Sequence, residues 1–143
     1  MSTRRVIALL GQPIVNEDGA AGEAIKPGYL VKGVTTILKH STAAGACPRT
    51  FALERDELGR GIDSTYGSET PDYATGDTVK VGSFAPGMRV LAWVASGQTI
   101  SEDDFVESAG DGTLRVFSAG VKIGRALEAV TATALTHLRV EVY

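Results

Sequence analysis

Pro86–Phe117 reads PGMRVLAWVASGQTISEDDFVESAGDGTLRVF, and its alternation of apolar runs with turn residues decides the fold class. A Pro-Gly turn leads into Val90-Leu91-Ala92-Trp93-Val94, short and apolar enough for a strand with little water on either face. Ser96-Gly97 turns the chain, Glu102-Asp103-Asp104 forms an acidic patch, and Phe105-Val106 starts another strand. Gly110-Asp111-Gly112 reverses it, and Leu114 and Val116 begin the return. Runs of this kind, separated by Pro-Gly, Ser-Gly and Asp-Gly, predict short antiparallel strands joined by tight turns.

The same pattern extends outward in both directions. Pro27-Gly28 presets a type II turn between Ile25 and Leu30-Val31, and β-branched residues make 34–39 a strand. Further strands are expected at 50–54, 78–81 and 126–130. Leu138-Arg139-Val140-Glu141-Val142 alternates cleanly as an amphipathic strand. The expected fold is therefore all-β: one compact barrel- or sandwich-like domain of short antiparallel strands, with long loops and little helix. Residues 1–21 read as an N-terminal arm and loop, and 22–143 as the β-rich domain. The apolar pentamer Val6–Leu10 has two readings, a first core strand or an arm that adds its strand to another protein.

Composition bounds the function. The 143 residues suffice for one domain with a real core and no need of metals or disulfides. Its 17 glycines, spread without a collagen period, match many turns. A net charge of −3 with interspersed signs argues against a nucleic-acid surface. The lone Cys47 offers no intramolecular disulfide. No apolar run reaches membrane-spanning length, and Val6–Leu10 is too short for a signal-peptide core, so the chain reads as soluble and made intracellularly.

No residue pattern points to chemistry. His40 and His137 have no metal-spaced Cys, Asp or Glu, and both read as surface histidines, solvated or hydrogen-bonded. Cys47 reads as a small buried residue, Glu102-Asp103-Asp104 as a solvated turn rather than a calcium loop, and Gly110-Asp111-Gly112 as a hairpin turn rather than a phosphate loop. No cofactor and no metal are implied. The aperiodic segment 55–77 is the long loop, and loops of that length are commonly contact surfaces. Trp93 is the packing anchor. With apolar residues on both faces of its strand, Val90, Ala92, Trp93 and Val94 have two readings: core on one side and a partner subunit on the other, or a strand sandwiched wholly inside one domain. An internal echo is also present: Gly22-x-x-Ile25 with Leu30-Val31 recurs 75 residues later as Gly97-x-x-Ile100 with Phe105-Val106. It reads as one loop-to-strand device used twice, without implying duplication.

Several landmarks, taken in order, resemble the capsid decoration (cement) proteins of tailed bacteriophages. They are Gly22–Val31, Phe51–Glu54, Tyr73–Val79 with Gly76-Asp77, and Ala92–Leu114 with Gly97, Ile100 and the turn Ser108–Gly112. The resemblance spans Gly22 to Val142 and departs at Ser101–Asp104, where a Gly-Asp turn is expected. It implies a non-enzymatic homotrimer, made in the host cytoplasm, that binds the exterior of the expanded capsid. There it would clamp neighbouring major capsid proteins, often through an N-terminal arm. Arg4, Arg5, Val6, Ile7, Leu9 and Leu10 are the capsid-contact candidates on that reading. The alternatives are a small β-barrel enzyme or ligand-binding domain, with a site among Asp56, Glu57, Asp63, Tyr66 and Asp72, and a phage tail or baseplate β-module.

Overall fold

A computed structural model describes residues 7–45, 48–54 and 72–143. Among these residues the regular structure is all strand, with no helix. The strands are β1 (Ala8–Leu10), β2 (Ile14–Asn16), β3 (Ala20–Ala21), β4 (Val31–Lys32), β5 (Thr36–Lys39), β6 (Thr50–Ala52), β7 (Val81–Ser83), β8 (Arg89–Val94), β9 (Thr99–Ile100), β10 (Phe105–Ser108), β11 (Leu114–Val116), β12 (Gly124–Ala126), β13 (Val130–Thr131) and β14 (Thr136–Val142).

β8, β11, β10, β12 and β14 close into a five-stranded barrel, because β14 pairs with β8 as well as with β12. Alternation sends Val90, Ala92 and Val94 of β8 and Leu138, Val140 and Val142 of β14 inward, where they are buried with Val106, Leu114, Ile123 and Ala126. β10 and β11 form the expected hairpin around Gly110 and Gly112, both at positive φ. The expectation of antiparallel neighbours throughout fails at one joint: β8 and β11 pair in parallel, at Val94 and Leu114. β9 leaves this sheet to pair with β13, and β10 fills the place between β11 and β12, so β11 closes the ring in the same direction as β8. The strand expected over 126–130 is broken into β12 and β13, and 78–81 is a single bridge at Thr78 followed by β7.

The remaining strands, which come first in the chain, make a ring from the same parts, so that in chain order this is the first barrel and the β8–β14 barrel the second. β7 joins β2 to β6, Leu30 bridges Phe51, β4 pairs with β5, and β5 returns to β3, which follows β2 in the chain. The pairings agree residue by residue with those of the β8–β14 barrel. Asn16 faces Val81 as Val90 faces Val140, and Ala52 faces Val81 as Ala126 faces Val140. Val31 faces Lys39 as Val106 faces Val116, and Ile25 faces Tyr73 as Ile100 faces Val130. The parallel joint recurs too, at Ala21 and Ile37. The described residues thus form two structural repeats, within 14–83 and 88–142, and the sequence echo falls at equivalent places in both.

Each repeat has its own apolar interior. Ala21, Ile25, Val31, Ile37, Ala52, Tyr73, Val79 and Val81 fill the first. The second also draws on the first repeat, since Leu30, Phe51 and Leu53, with Phe84 just after that repeat, pack into its cluster with Ile7. The turn Lys26–Tyr29 lies across β8: Gly28 approaches the Leu91 carbonyl so closely that a Cβ there would sit 2.9 Å from it.

The N-terminal segment is built into this body. Ile7 is fully buried, β1 pairs with β8, and β2 and β3 pair with β7 and β5, so no break in pairing separates 7–21 from the rest. Of the two readings of Val6–Leu10, the described part, Ile7–Leu10, follows the core strand. The physical reason is the free edge of β8 beside β11, which an apolar extended segment covers.

Candidate functional site

The proposed subunit face around Trp93 is occupied by the chain itself. Val90, Ala92 and Val94 have 0% exposure inside the second barrel, so a partner subunit cannot touch them. On the other face, the Trp93 indole N–H donates to the Pro27 carbonyl at 2.8 Å, and its ring stacks on His137 at 3.6 Å with Lys26 above it. Trp93 is the packing anchor expected, but it joins the two repeats rather than two subunits. His137 lies on the outer face of β14 and is half-buried in that stack. His40 departs from the surface reading: it is buried, with Nδ1 3.2 Å from the Ser108 hydroxyl.

The most elaborate polar cluster is centred on Glu107, which the sequence reading passed over because it stands amid strand residues. Its side chain is fully buried. Arg115 donates to it at 2.9 Å, as do the amides of Ser118 at 2.8 Å and Gly120 at 3.1 Å. Burial alone would raise this carboxyl, but the donors at Ser118, Arg115 and Gly120 outweigh it and hold the group below its ordinary value. The Ser118 and Gly120 bonds fasten the 117–120 connection to β10, and Arg115 ties β11 to the same carboxylate, so the arrangement is a structural clasp. The acidic patch behaves as expected for a solvated turn: Asp103 pairs with Arg125 at 2.5 Å, and the Asp104 carboxylate accepts the Ser101 amide at 2.9 Å. Among the described residues no group of three His, Cys, Asp or Glu side chains stands where it could hold a metal.

Among the described residues, two features stand out as open to a ligand. One is an exposed apolar run along 9–15, where Leu9 and Leu10 of β1 and Ile14 and Val15 of β2 are all solvent-facing. The other is a pocket of about 240 Å³ at the mouth of the first barrel, lined by Asn16, Gly19, Lys32, Val34, Val81 and Ser83 among others. In the second barrel the positions of Asn16 and Ser83 are taken by Val90 and Val142, and the corresponding interior is packed with apolar side chains.

Of the capsid-contact candidates, Leu9 and Leu10 are on this surface and Ile7 is in the core, while Arg4, Arg5 and Val6 lie outside the described residues. Of the alternative ligand-site candidates, Asp56, Glu57, Asp63 and Tyr66 also lie outside them, as does Cys47. Asp72 is exposed and pairs with Lys26 at 3.0 Å.

In fold, the chain is similar to the crystal structure of the N base of head fiber gp8.5 from bacteriophage phi29. The alignment covers 100% of this chain and 95% of that one, with a TM-score of 0.52 and 15% sequence identity. No family model and no curated protein matches the chain.

Proposed function

We infer that this chain is a structural protein of a bacteriophage virion, located on the outside of the head, and that it acts by binding rather than by catalysis. The observation that carries this reading is the end-to-end agreement in fold with a phage head fiber base. The ordered landmarks that resemble those of decoration proteins support the same class.

In its finer form the reading is a homotrimer that binds the expanded capsid and bridges neighbouring major capsid proteins. The mechanism is mass action: a ligand that binds the assembled shell and not its ruptured state stabilises the shell. Many copies per shell multiply a modest contact energy. The exposed Leu9 and Leu10, with the candidates Arg4, Arg5 and Val6 before them, supply the contact. Val90, Ala92, Trp93 and Val94 take no part in the trimer on this reading, because they are enclosed by their own chain.

Co-sedimentation with expanded empty capsids is the test, with unexpanded shells as the comparison. Saturable binding to expanded shells, and a higher temperature of shell rupture, are expected. Because β1 is part of the fold, Leu9→Asp with Leu10→Asp replaces an N-terminal deletion. Absence of binding by the wild-type chain would sink the reading.

A further inference from the structure

The two repeats differ at one strand edge. In repeat 2, β8 is paired on both sides, with β14 along one edge and β1 along the other. Ala8 lies opposite Val90 and Leu10 opposite Arg89. The matching positions in repeat 1 are Asn16 and Val15, fixed by register: Val15 faces Gly82 as Arg89 faces Glu141. β2 has β7 along one edge, and no described strand lies along the other.

Among the described residues that edge is also apolar and open. Ile14 is 77% exposed and Val15 46%. In β8 the Leu91 amide donates to Ile7 on the β1 side, whereas the Met88 carbonyl accepts from Val142 on the β14 side. Backbone groups of an antiparallel strand alternate in direction. Arg89 therefore presents its backbone to β1, and Val15, its counterpart, presents its own to the open side. An unpaired apolar edge of this kind is a template for another chain.

We propose that the outer edge of β2 is a strand acceptor, which takes an extended, uncharged apolar segment of a partner polypeptide running antiparallel to Ile14–Asn16. β1 shows the chemistry the seat accepts, since Ile7-Ala8-Leu9-Leu10 fills the equivalent place in repeat 2. Ala8, opposite Val90, packs against the repeat 2 core. The residue of an incoming strand opposite Asn16 takes the same direction, toward the pocket at the mouth of the first barrel. Repeat 2 needs no such guest, because β1 and the apolar interior already fill it. A second copy's β1 is not the occupant, since each is already bonded to its own β8 and moving it exchanges one ladder for another. The proposal rests on the shell-binding reading only for the source of the segment, which is then the shell protein.

The probe is a fluorescein-labelled peptide with the sequence of residues 6–11, Val-Ile-Ala-Leu-Leu-Gly, titrated with the full chain and followed by anisotropy. Saturable binding is expected, weakened at least tenfold by Val15→Pro and by Ile14→Lys and unchanged by Leu135→Ser, at an exposed site remote from β2 in the pairing map. Ile14→Lys alone decides if Val15→Pro lowers the melting temperature. No saturable binding, or binding indifferent to both substitutions, overturns the seat. Sedimentation velocity adds one outcome: self-association that Ile14→Lys abolishes means a second copy fills the edge, and overturns the proposal. A wild-type chain that binds the peptide but not expanded capsids keeps the seat and refutes the shell-binding reading, so the two failures are told apart.

Discussion

Glu107 is a buried acid whose cost is offset by three donors, and its pH behaviour follows from that. Its native carboxyl titrates below the ordinary value of 4.5. The clasp's contribution to stability is therefore complete above that value and is lost as pH falls through the lower native one. Glu107→Gln should cost about 1–3 kcal/mol at neutral pH, because a charge-assisted set of hydrogen bonds becomes a partly satisfied one. The variant's loss of stability on the acid side should also be shallower than the wild type's. Denaturant melts from neutral to acid pH check both, and parallel curves would refute the assignment. Glycines give a second test by comparison. Gly28 sits at φ +99 with its Cβ direction blocked by the Leu91 carbonyl and the Trp93 ring, whereas Gly76 sits at φ +93 facing open space. Alanine at Gly76 should cost only the left-handed backbone term, about 1 kcal/mol. At Gly28 it should cost about 1–2 kcal/mol more, because the turn must lift off β8. Equal losses would mean that the turn does not bear on β8 as described.

The two copies of one turn bring the repeat down to single elements. In Lys26–Tyr29 the Tyr29 amide donates to the Lys26 carbonyl at 3.1 Å, and in Ser101–Asp104 the Asp104 amide donates to the Ser101 carbonyl at the same distance. Gly28 and Asp103 hold the third position of each at positive φ, so Asp103 bears a strain that Gly28 escapes. Placing Pro-Gly at 102–103, as repeat 1 has it, should stabilise the chain by about 1 kcal/mol, through a stiffer unfolded chain and a relieved backbone. The Arg125–Asp103 pair is lost, but it is exposed and worth little, and Arg125 keeps Glu141 at 3.0 Å. A thermal melt should rise by about 4 °C; a fall would refute the equivalence of the turns. This turn also marks what sequence could show. Pro27-Gly28 and Gly110-Asp111-Gly112 were readable because positive φ selects its residues, and Leu138–Val142 because one wet face imposes alternation. β8, buried from Ala92 to Val94, has no such contrast, so a subunit contact and a wholly enclosed strand read equally well from its sequence. The repeat stayed hidden because its spacing drifts: Val31 to Val106 is 75 positions, Ile37 to Leu114 is 77, Ala52 to Ala126 is 74 and Val81 to Val140 is 59. A fixed offset catches only the first quarter of it. His40 and Glu107 were misjudged or missed for a related reason, since local pattern does not say which polar side chain finds buried partners.

At the scale of the molecule, the question is whether two repeats make two folding units. Their interiors argue against it. The first repeat's cluster is largely self-contained, but the second contains Leu30, Phe51 and Leu53 from the first and Phe84 from the link between them, with Phe51 and Phe84 edge-to-face at 5.6 Å. Ile7 adds a further tie, since its amide reaches Glu54 and its carbonyl takes the Leu91 amide. Trp93 completes the join by bonding Pro27 across the boundary. Each large apolar side chain buried at this seam is worth about 1.5–3 kcal/mol. The seam thus holds as much stability as a small domain has in total. Calorimetry should accordingly show one transition, with equal calorimetric and van't Hoff enthalpies near 100 kcal/mol for a chain of this length. The fragment 85–143 should not fold alone, since it lacks β1 and five of the side chains that fill its barrel, Ile7, Leu30, Phe51, Leu53 and Phe84. The fragment 12–84 should retain more structure, because its own cluster needs nothing from beyond Val81. Two separated transitions, or a folded 85–143 fragment by amide exchange, would mean that the repeats are independent and that the seam is a docking contact rather than a shared core.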